Sequence, residues 1–413
     1  MNFESLSNLT THLQRGISPK YAESGIPVIN QKCIRNGQLK SEDIKFHGSD
    51  KAYSQEKELR KDDILVNSTG VGTLGRVARF SNEKEKMLAD SHITIVRPDA
   101  EKIFPLYLFY VLRFNEPTIV ELGAGSTGQT ELSRIALGSL QIPIPSQNVQ
   151  KYIADTLAYI DEKIHTNQTL SKTLEEIAQT IFKSWFIDFD PVKAKMAGEK
   201  PAGMDAATAA LLPDTMEESE IGLIPKGWHF GILDDVIEIY DSKRIPISGA
   251  ERRKRPGKYP YYGATGVLDF IDNFIFEGPH VLVGEDGTVI TESGTPLVQY
   301  VWDKFWVSNH AHVLKGKQGF SVEQLKLLIE RIQISNYITG AVQPKLNQGN
   351  LKSIPCVIPN AEVSAAFGLI IEPFFRNIRR LTDEKNVLVQ LRESLLPRLI
   401  SGELQIPEEM LAS

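Results

Sequence analysis

Apolar side chains recur at alternating steps of four and three residues along the stretch 146–190. This is the a and d spacing of a coiled coil, and it predicts one long helix. A helix of roughly 40 residues is about 60 Å long, too long to be buried inside a single domain, so it needs a partner helix. The predicted seam consists of Ile153, Leu157, Ile160, Ile164, Asn167, Ser171, Leu174, Ala178, Ile181 and Trp185.

The chain carries the partner helix itself, at an offset of 214 residues that takes Leu174 to Leu388. The register of matching residues holds without a gap from Gln129 to Trp185. Chance apolar periodicity would not produce such a match, so the sequence predicts two copies of one unit. The second predicted seam consists of Phe367, Ile371, Phe374, Ile378, Leu381, Lys385, Leu388, Arg392, Leu395 and Leu399.

Each predicted helix follows a globular block. The first block mixes the β-like runs IPVIN, DILVNS, GRVARF and HITIVRP with Gly, Asn and Ser clusters, and its apolar run IFPLYLFYVLRF indicates a buried helix. The second block has the same order of parts, because HVLVGEDGT stands where the first has DILVNSTGV, and VSNHAHVL where it has ADSHITIV. The pattern predicts mixed α/β (α+β) domains alternating with long helices.

Changes in composition place the boundaries of these parts. The predicted first block is 1–145, the first helix 146–190, the second block 220–360 and the second helix 361–404. Between the first helix and the second block, 191–219 is rich in Pro, Gly and Ala and ends in an acidic run, which is typical of a linker with at most a short helix.

Composition narrows the class of protein. The 413 residues are 41% apolar and 24% charged, and no apolar run approaches the ~20 residues of a membrane span. The first residues do not resemble a signal peptide, so a cytoplasmic protein is expected. Cys33 and Cys356 lack the spacing of a zinc site or a disulfide scaffold. The net charge of −6 means that any site for a polyanion must be a local patch.

Catalytic motifs are weak or missing. Two GxGxxG strings, at 70–75 and 123–128, suggest a nucleotide site, but the first is followed by a strand-like run and the second copy of the unit lacks these glycines. The chain has no GxxxxGK[ST] and no HExxH string. His92 and His310 occupy equivalent places in strand-like runs without an obvious nucleophile or metal partner, so structural roles are favoured. No catalytic or metal-binding residue is predicted.

The segment 241–260 is a basic cluster, because it contains seven basic and two acidic residues and has a local net charge of +5. Arginine forks suit phosphate oxygens and guanine edges, so the cluster is a candidate DNA-binding surface, with a solvated loop as the alternative. The candidates are Lys243, Arg244, Arg252, Arg253, Lys254, Arg255 and Lys258, followed by Tyr261, Tyr262 and Thr265 for base or backbone contacts.

Candidates in the first block are scattered along the chain. They are Lys20, Lys32, Arg35, Thr69 and Arg76. Gln343 and Lys345, like Gln129 in the first block, lie in the turn after which the chain returns toward a long helix. They are also candidates for DNA contact, with a structural turn as the equal alternative.

Four strings carry a family resemblance: FKSWFIDFDPV at 182–192, GLIPKGW at 222–228, GKYPYYGATG at 257–266 and LRESLLPRLISGEL at 391–404. Together, and in the order block, helix, block, helix, they resemble the specificity subunit of Type I restriction–modification enzymes. The resemblance covers essentially the whole chain, and it is the combination rather than any one string that is specific.

The resemblance implies two target recognition domains, each reading one half of a bipartite double-stranded DNA site. It implies that the long helices pack antiparallel as a spacer and dock modification (methyltransferase) subunits, expected to be two, and that restriction (motor-nuclease) subunits join them. Catalysis would lie in those partners, which use S-adenosylmethionine, ATP and Mg²⁺, and this chain would bind no cofactor itself. No membrane partner is implied.

Two features depart from the family pattern. The first block starts almost at Met1, without the PKGW string of 225–228, and Pro373 lies inside the second predicted helix, where it would remove a hydrogen bond and kink the helix. Two other functions remain open from the residues alone. One is a free-standing nucleotide- or phosphate-handling enzyme that uses its glycine loops, and the other is a coiled-coil scaffold without nucleic acid.

Overall fold

The computed structural model describes residues 2–82, 84–123, 130–340 and 342–411. The chain forms two compact units, which are described one at a time. The first unit comprises residues 1–166 and 385–413, and the second unit comprises residues 167–384. Each unit therefore contains one globular block and a part of both long helices.

Short strands build the globular block of the first unit. They are β1 (Asn2–Ser5), β2 (Thr10–Arg15), β3 (Tyr21–Ala22), β4 (Ile26–Ile29), β5 (Ile34–Arg35), β6 (Gln38–Leu39), β7 (Lys45–His47), β8 (Ile64–Asn67), β9 (Val77–Arg79), β10 (Leu88–Ala89), β11 (Ile93–Pro98) and β12 (Gln141–Ile144). They form sheets in the orders β2-β11-β8-β9 and β10-β4-β7-β3, with the pairs β1-β12 and β5-β6. Among the strands of the described part of this block, only β10 and β4 pair in parallel, and next to them Ile17 and Asp90 form an isolated parallel bridge.

The predicted buried helix is confirmed as α1 (Pro105–Phe114), in which every side chain from Tyr107 to Leu112 is buried. It is followed by α2 (Glu116–Glu121) and α3 (Arg134–Gly138). The apolar run on α1 has no polar face because the helix is enclosed by the sheet on one side and by the long helices on the other.

The first long helix, α4 (Gln147–Phe186), is 40 residues long. In the first unit its seam residues Ile153 and Leu157 share one core with Leu396, Leu399 and Ile400 near the C-terminal end of the second long helix. The beginning of one helix packs beside the end of the other, so the two helices are antiparallel in this unit, as the predicted fold class requires.

The second unit continues with α5 (Asp190–Met196) and α6 (Ala206–Leu211), where the sequence predicts a linker. Val192 and Leu212 in this segment are buried in the core of the unit. The segment thus packs onto the unit rather than serving as an open tether, because its few apolar residues are spaced to reach the core.

The second block repeats the strand plan of the first. Its elements are β13 (Met216–Ser219), β14 (Gly222–Pro225), β15 (His229–Ile232), β16 (Ile237–Ile239), α7 (Gly249–Arg252), β17 (Pro256–Tyr262), β18 (Val267–Ile271), β19 (Phe276–Glu277), β20 (His280–Gly284), β21 (Val298–Val301), β22 (Lys304–Val307), β23 (Ala311–Gly316), α8 (Val322–Ile329), α9 (Gln348–Lys352) and β24 (Pro355–Ile358).

The sheet orders show the repeat. The order β16-β23-β20-β21 corresponds to β2-β11-β8-β9, the pair β15-β24 corresponds to β1-β12, and β17 pairs in parallel with β22 as β4 does with β10. The second long helix, α10 (Ala361–Ile400), is also 40 residues long and is followed by α11 (Glu408–Leu411). Two blocks of one mixed α/β plan and two long helices confirm the predicted fold class.

The buried stripe of each long helix is wider than the predicted seam. In the second unit Phe182 and Phe375 are 1% exposed, whereas the predicted seam residues Ile181 and Phe374 next to them are only half-buried. Both helices also cover the core of a globular block, and this contact needs a second apolar position beside the coiled-coil positions. Leu174, Leu388 and Leu395 are half-buried and Ile160, Ile164, Trp185 and Ile378 are buried.

Asn167 is the buried polar residue of the predicted seam, at 1% exposure, and its side-chain nitrogen has no hydrogen-bond partner among the described residues. Pro373 does not end the second helix, which continues on both sides of it. Pro373 and Leu369, the residue whose carbonyl loses its N–H partner, both lie on the exposed face of the helix, where water can hydrate that carbonyl. No helix in the described part of the chain is long and apolar enough to cross a membrane.

One carboxylate joins three elements of the first unit. Asp161 on α4 accepts hydrogen bonds from Arg392 on α10 at 2.6 Å, from Arg113 on α1 at 3.1 Å and from the Tyr110 hydroxyl at 2.9 Å. The side chains of both arginines are less than one-sixth exposed, at 15% and 13%. Loss of this carboxylate would leave two largely buried cations without a partner.

We therefore expect Asp161→Ala to lower the free energy of unfolding by roughly 2 kcal/mol, measured by urea denaturation. Asp155→Ala is the matched control, because Asp155 is exposed on the same helix, and it should change the free energy by less than about 0.5 kcal/mol. Equal effects of the two substitutions would contradict the role of Asp161 as a link between the helices and the block.

Candidate nucleic-acid interface

The basic cluster of the second unit folds as a short helix followed by a strand. Ser248 caps α7 by accepting a hydrogen bond from the Glu251 N–H at 3.2 Å, and β17 then pairs with β18. Cap and strand pairing hold the segment in one conformation. The individual side chains then take different roles, according to the direction in which the backbone points them.

Two of the predicted contact residues are interior groups, and this corrects the sequence-based assignment. Arg244 donates hydrogen bonds to Glu285 at 2.8 Å and to the Ala311 carbonyl at 2.7 Å, and its side chain is 12% exposed. Tyr261 is 1% exposed, and its hydroxyl accepts a hydrogen bond from the Ile247 N–H at 3.0 Å. Neither side chain can reach DNA without breaking bonds inside the unit.

Arg252 and Arg255 are partly exposed and hold the segment in place through ring contacts and ion pairs. Arg252 lies over the Tyr261 ring at 4.7 Å and pairs with Asp269 at 3.3 Å. Arg255 lies over the Trp306 ring at 5.4 Å and pairs with Asp272 at 2.8 Å. The hydrogen bond to Asp272 is the main reason why the pKa of Arg255 is raised. Asp269 and Asp272 already compensate the charges of these two arginines, so we expect them to attract a phosphate less strongly than the sequence suggests.

The exposed part of the cluster consists of four cations and one hydroxyl: Lys243, Arg253, Lys254, Lys258 and Thr265. Lys243 and Lys258 rest on the rings of Tyr240 and Tyr259, which leaves their ammonium groups at the surface. Arg253 and Lys254 have no ion-pair partner in the part of the chain that the structure describes. Tyr262 is half-buried and packs edge-on against Phe305 at 5.9 Å, so it belongs to the framework.

A second polar group of the same unit lies where β20 and β23 meet. His312, which is fully buried, bonds through Nδ1 to Asp241 at 2.6 Å and through Nε2 to the Leu346 carbonyl at 2.8 Å. Burial opposes ionisation of Asp241, but the hydrogen bonds from His312 and the Val313 N–H and the charge of Arg244 outweigh it and lower its pKa.

Asp241, Glu285 and His312 bring one ligand atom each within 4.8 Å of one another, a spacing that can hold a metal ion. A carbonyl oxygen only accepts hydrogen bonds, so Nε2 of His312 must carry a proton, and Nδ1 faces the Asp241 carboxylate. Arg244 already pairs with Glu285 at 2.8 Å and with Asp241 at 3.4 Å, so the group is described best as a charge-compensated hydrogen-bonded network.

At the surface edge of this network lie Asp286, His310 and Lys345. Asp286 bonds to Nδ1 of His310, and its backbone pairs with Lys345, whose ammonium is 3.5 Å from Glu285. His310 precedes β23 in a turn rather than lying in a strand as predicted, because the chain bends there to bring its carbonyl to the Glu285 N–H. Gln343 is exposed in the neighbouring turn.

The first unit has the same backbone bonds but different side chains. Ser68 N–H donates to the His92 carbonyl at 2.8 Å and Leu132 N–H to the Ser68 carbonyl at 2.9 Å, as Glu285 and Leu346 do in the second unit. Where the second unit has Glu285 beside His312, the first has Ser68 bonded to Thr94 at 2.7 Å.

The charges at the rim of this site are reversed. In the first unit, strand pairing places Arg15 opposite Thr94. The equivalent residues of the second unit are Asp241 and His312, so Asp241 stands in the place of Arg15. Arg15 pairs with Glu131 at 2.8 Å, and Glu131 bridges to Thr69 where Lys345 bridges to Asp286. Five residues of these two groups were not predicted from the sequence as site residues: Arg15, Glu131, Asp241, Glu285 and Asp286. Each of them lies directly after or beside a strand that matches between the two blocks, and this position could have identified them as candidates.

His92 lies in the turn before β11, not in a strand, and its Nδ1 is 2.7 Å from the Thr69 hydroxyl. The glycine string at 70–75 is a turn between the antiparallel strands β8 and β9, with Gly70, Gly72 and Gly75 at positive φ. It opens no helix, so it lacks the geometry of a dinucleotide-binding loop. Arg76 braces it by donating to the Gly72 carbonyl at 2.7 Å.

Two of the remaining candidates of the first unit, Lys32 and Arg35, are neighbours in the chain of Gln31 and Ile34, which accept hydrogen bonds from Thr69 and Arg76 at this turn. Lys20, Lys32 and Arg35 are exposed, and Arg35 pairs with Asp43 at 3.3 Å. Gln129 and most of the second glycine string, at 124–128, lie outside the described residues.

Comparison with known proteins identifies the family. The model of the Type I restriction modification DNA specificity domain matches residues 13–176 and 225–390, one globular block and part of a long helix each time. The chain is 24% identical over 405 residues to the Type I restriction enzyme HindI specificity subunit of Haemophilus influenzae, covering 84% of this chain and 88% of that one. It is 28% identical over 320 residues to the MjaIX specificity subunit of Methanocaldococcus jannaschii, covering 73% and 69%.

The fold agrees with a solved structure of the same kind. The crystal structure of the Type I restriction-modification S subunit from M. genitalium superposes with a TM-score of 0.58 at 16% identity, over 97% of this chain and 96% of that one. The family model matches well over half of the chain, in two copies that coincide with the two structural repeats. The protein therefore belongs to the family of Type I restriction–modification DNA specificity subunits, and its role is to provide the DNA sequence specificity of such a system.

Proposed function

We propose that the protein recognises a bipartite DNA site, with one half-site read by each globular block. The observation that carries this proposal is the difference between equivalent positions of one framework. At the surface edge of the framework, Glu131 stands where the second unit has Lys345, and Thr69 stands where it has Asp286. A common backbone can present its strand ends to a groove in the same way, while side chains of opposite charge select different base edges.

In this proposal the exposed cations position the DNA and the strand-end groups read it. Lys243, Arg253, Lys254 and Lys258 would contact phosphates in the second unit, and Lys20, Lys32 and Arg35 in the first. Thr265 and Gln343 are proposed for polar contacts because both residues are exposed. Arg244 and Tyr261 are left out because their hydrogen bonds are internal, and Arg252, Arg255, Arg76 and Tyr262 are assigned to support of the surface.

We further propose that the chain has no catalytic site and binds no cofactor of its own. Two modification subunits would dock on the long helices and methylate adenine with S-adenosylmethionine, and restriction subunits would use ATP and Mg²⁺ to translocate and cleave. The glycine turn at 70–75 gives no support to the alternative of a nucleotide-handling enzyme, since it connects two strands. Because its partner is chromosomal DNA, we expect the complex in the cytoplasm.

Exchange of one block tests the bipartite site. Replacing residues 220–360 with the second block of another family member should change one half-site and leave the other, since each block would read independently. The measurement is methylome sequencing of cells that express the chain with its modification subunit. Exchange of 1–145 is the matched control and should change only the opposite half. A single continuous motif, or a change in both halves, would reject the proposal.

Removal of the exposed cations tests the phosphate contacts. The triple variant Arg253→Ala, Lys254→Ala, Lys258→Ala should weaken DNA binding by the assembled methyltransferase and make the plot of log K against log[salt] shallower, by about 0.9 for each lost phosphate contact. Lys193→Ala, Lys200→Ala, Lys226→Ala removes the same charge from exposed positions elsewhere and should leave the slope unchanged. An unchanged slope in the first variant would show that its loop is solvated surface.

Lengthening the helices tests their role as a spacer. Four residues inserted after Thr169 and four after Asp383 would extend both helices by about 6 Å, close to two base-pair steps of roughly 3.4 Å. We expect the gap between half-sites to grow by one or two base pairs while both half-site sequences stay the same. Four residues inserted after Gly198, outside the long helices, should not change the gap.

Circular dichroism must show that the lengthened protein keeps its helicity, because four inserted residues do not match a seven-residue repeat. A folded variant that still methylates sites with the original gap would refute the spacer role.

A further inference from the structure

The second unit contains a half-open cavity of about 150 Å³ beside the C-terminal end of α4. Its walls come from α4, from α8 and from the edge strand β24, and they are mostly apolar. The residues that line it include Phe182, Phe186, Phe320, Leu328, Val357 and Gln324. The cavity has no role in the proposed reading of DNA, because none of the exposed cations or strand-end groups lines it.

One polar side chain in this apolar wall is unsatisfied. Gln324 is 0% exposed, and neither its side-chain oxygen nor its side-chain nitrogen has a hydrogen-bond partner among the described residues. A buried amide without partners is unfavourable, so such a group in a native protein calls for an explanation. Arg331, the cation in the cavity wall, already donates to the Gln179 side chain at 2.8 Å and to its carbonyl at 2.9 Å.

The first unit shows what fills the same space there. Helix α1 follows its N-cap residue Phe104, and α8 follows its N-cap residue Ser321, so the third helical residues, Tyr107 and Gln324, are equivalent. Tyr107 is 0% exposed, and its hydroxyl donates to the Pro143 carbonyl at 3.1 Å. The repeat thus replaces a buried phenol with a shorter amide.

The acceptor of that hydrogen bond also has an equivalent. Pro143 is the third residue of β12, and Val357 is the third residue of β24. Next to the antiparallel pair β15-β24, the Leu233 N–H donates to the Ile354 carbonyl at 2.8 Å. Every second residue of such a strand bonds to its partner strand, so Val357, three residues after Ile354, directs its N–H and C=O away from β15. Val357 lines the cavity, where a hydroxyl from a bound ring can occupy the place of the Tyr107 hydroxyl.

We propose that this cavity is a binding site for one hydroxylated aromatic ring. A dry cavity of about 150 Å³ is large enough for benzene in other proteins. The ring would pack against Phe182, Phe186 and Phe320, and its hydroxyl would donate to the Val357 carbonyl and accept from the Gln324 amide nitrogen. A neutral phenol suits the site better than a carboxylate, because the guanidinium of Arg331 is already engaged.

The test uses the full-length chain and 4-fluorophenol, followed by ¹⁹F NMR, with unlabelled phenol and benzene as competitors. We expect one saturable site with a Kd of about 1 mM or tighter, and at least tenfold weaker binding of benzene than of phenol. Gln324→Tyr should abolish binding by filling the cavity from inside, as Tyr107 does in the first unit. Gln324→Leu should keep benzene binding but weaken phenol binding about tenfold.

Gln168→Leu is the matched control, because Gln168 is exposed on α4, and it should leave binding unchanged. N-acetyl-tyrosinamide distinguishes the source of the ring. If it binds more tightly than phenol, the ring belongs to a tyrosine of a partner protein, and if it does not compete while phenol does, the ligand is a free phenolic compound. Absence of saturable phenol binding, or equal binding of phenol to the Gln324→Leu variant, would overturn the proposal.

Discussion

Burial of an apolar stripe along each 40-residue helix is the constraint on which the rest of the structure depends. An isolated helix of this length leaves its stripe in water, and its own hydrogen bonds do not compensate for that. In the second unit Phe186 meets Phe367 edge-on at 4.8 Å, and Trp185 lies 5.4 Å from the same ring. These aromatic residues belong to one core with Leu233 and Val283 of the block. Within a unit, the helix segments and the block therefore cannot separate without exposing a shared core.

This shared core leaves the strand ends free to vary. The backbone bonds that hold the ends of β8 and β11 recur at β20 and β23, although the side chains there differ in size and charge. The second unit needs Arg244 to compensate Asp241 and Glu285 in a largely buried place, whereas the neutral pair Ser68 and Thr94 needs no counterion. The side chains at these positions can change because stability is supplied elsewhere.

The two repeats are also unequal inside. Tyr107 fills its site and satisfies a backbone carbonyl, while the Gln324 side chain is shorter and has no hydrogen-bond partner in the part of the chain that the structure describes. A duplicated framework keeps the positions of its elements as long as the main core contacts survive, and it tolerates a local loss of packing near one helix end. That tolerance is what allows one repeat to carry a cavity where the other carries the buried phenol of Tyr107.

Much of this architecture followed from the sequence by itself, because it depends on local periodicity. The alternation of four and three residues determined the long helices, and the constant offset determined the repeat, since both are properties of residues close in the chain. The wider buried stripe of each helix could not be predicted from the sequence, because Phe375 is buried by a block as well as by a helix.

Only the tertiary structure decided which members of the basic cluster face outward. Composition marks Arg244 and Arg253 as equivalent cations, but the partners of Arg244 lie 41 and 67 residues away along the chain. Contacts between residues so far apart in the chain depend on how the sheets pack, and the spacing of residues in the sequence does not predict them. For the same reason the sequence showed Gln324 only as a polar residue on an apolar helix. Its unpaired amide and the cavity beside it exist only once α4, α8 and β24 have been brought together.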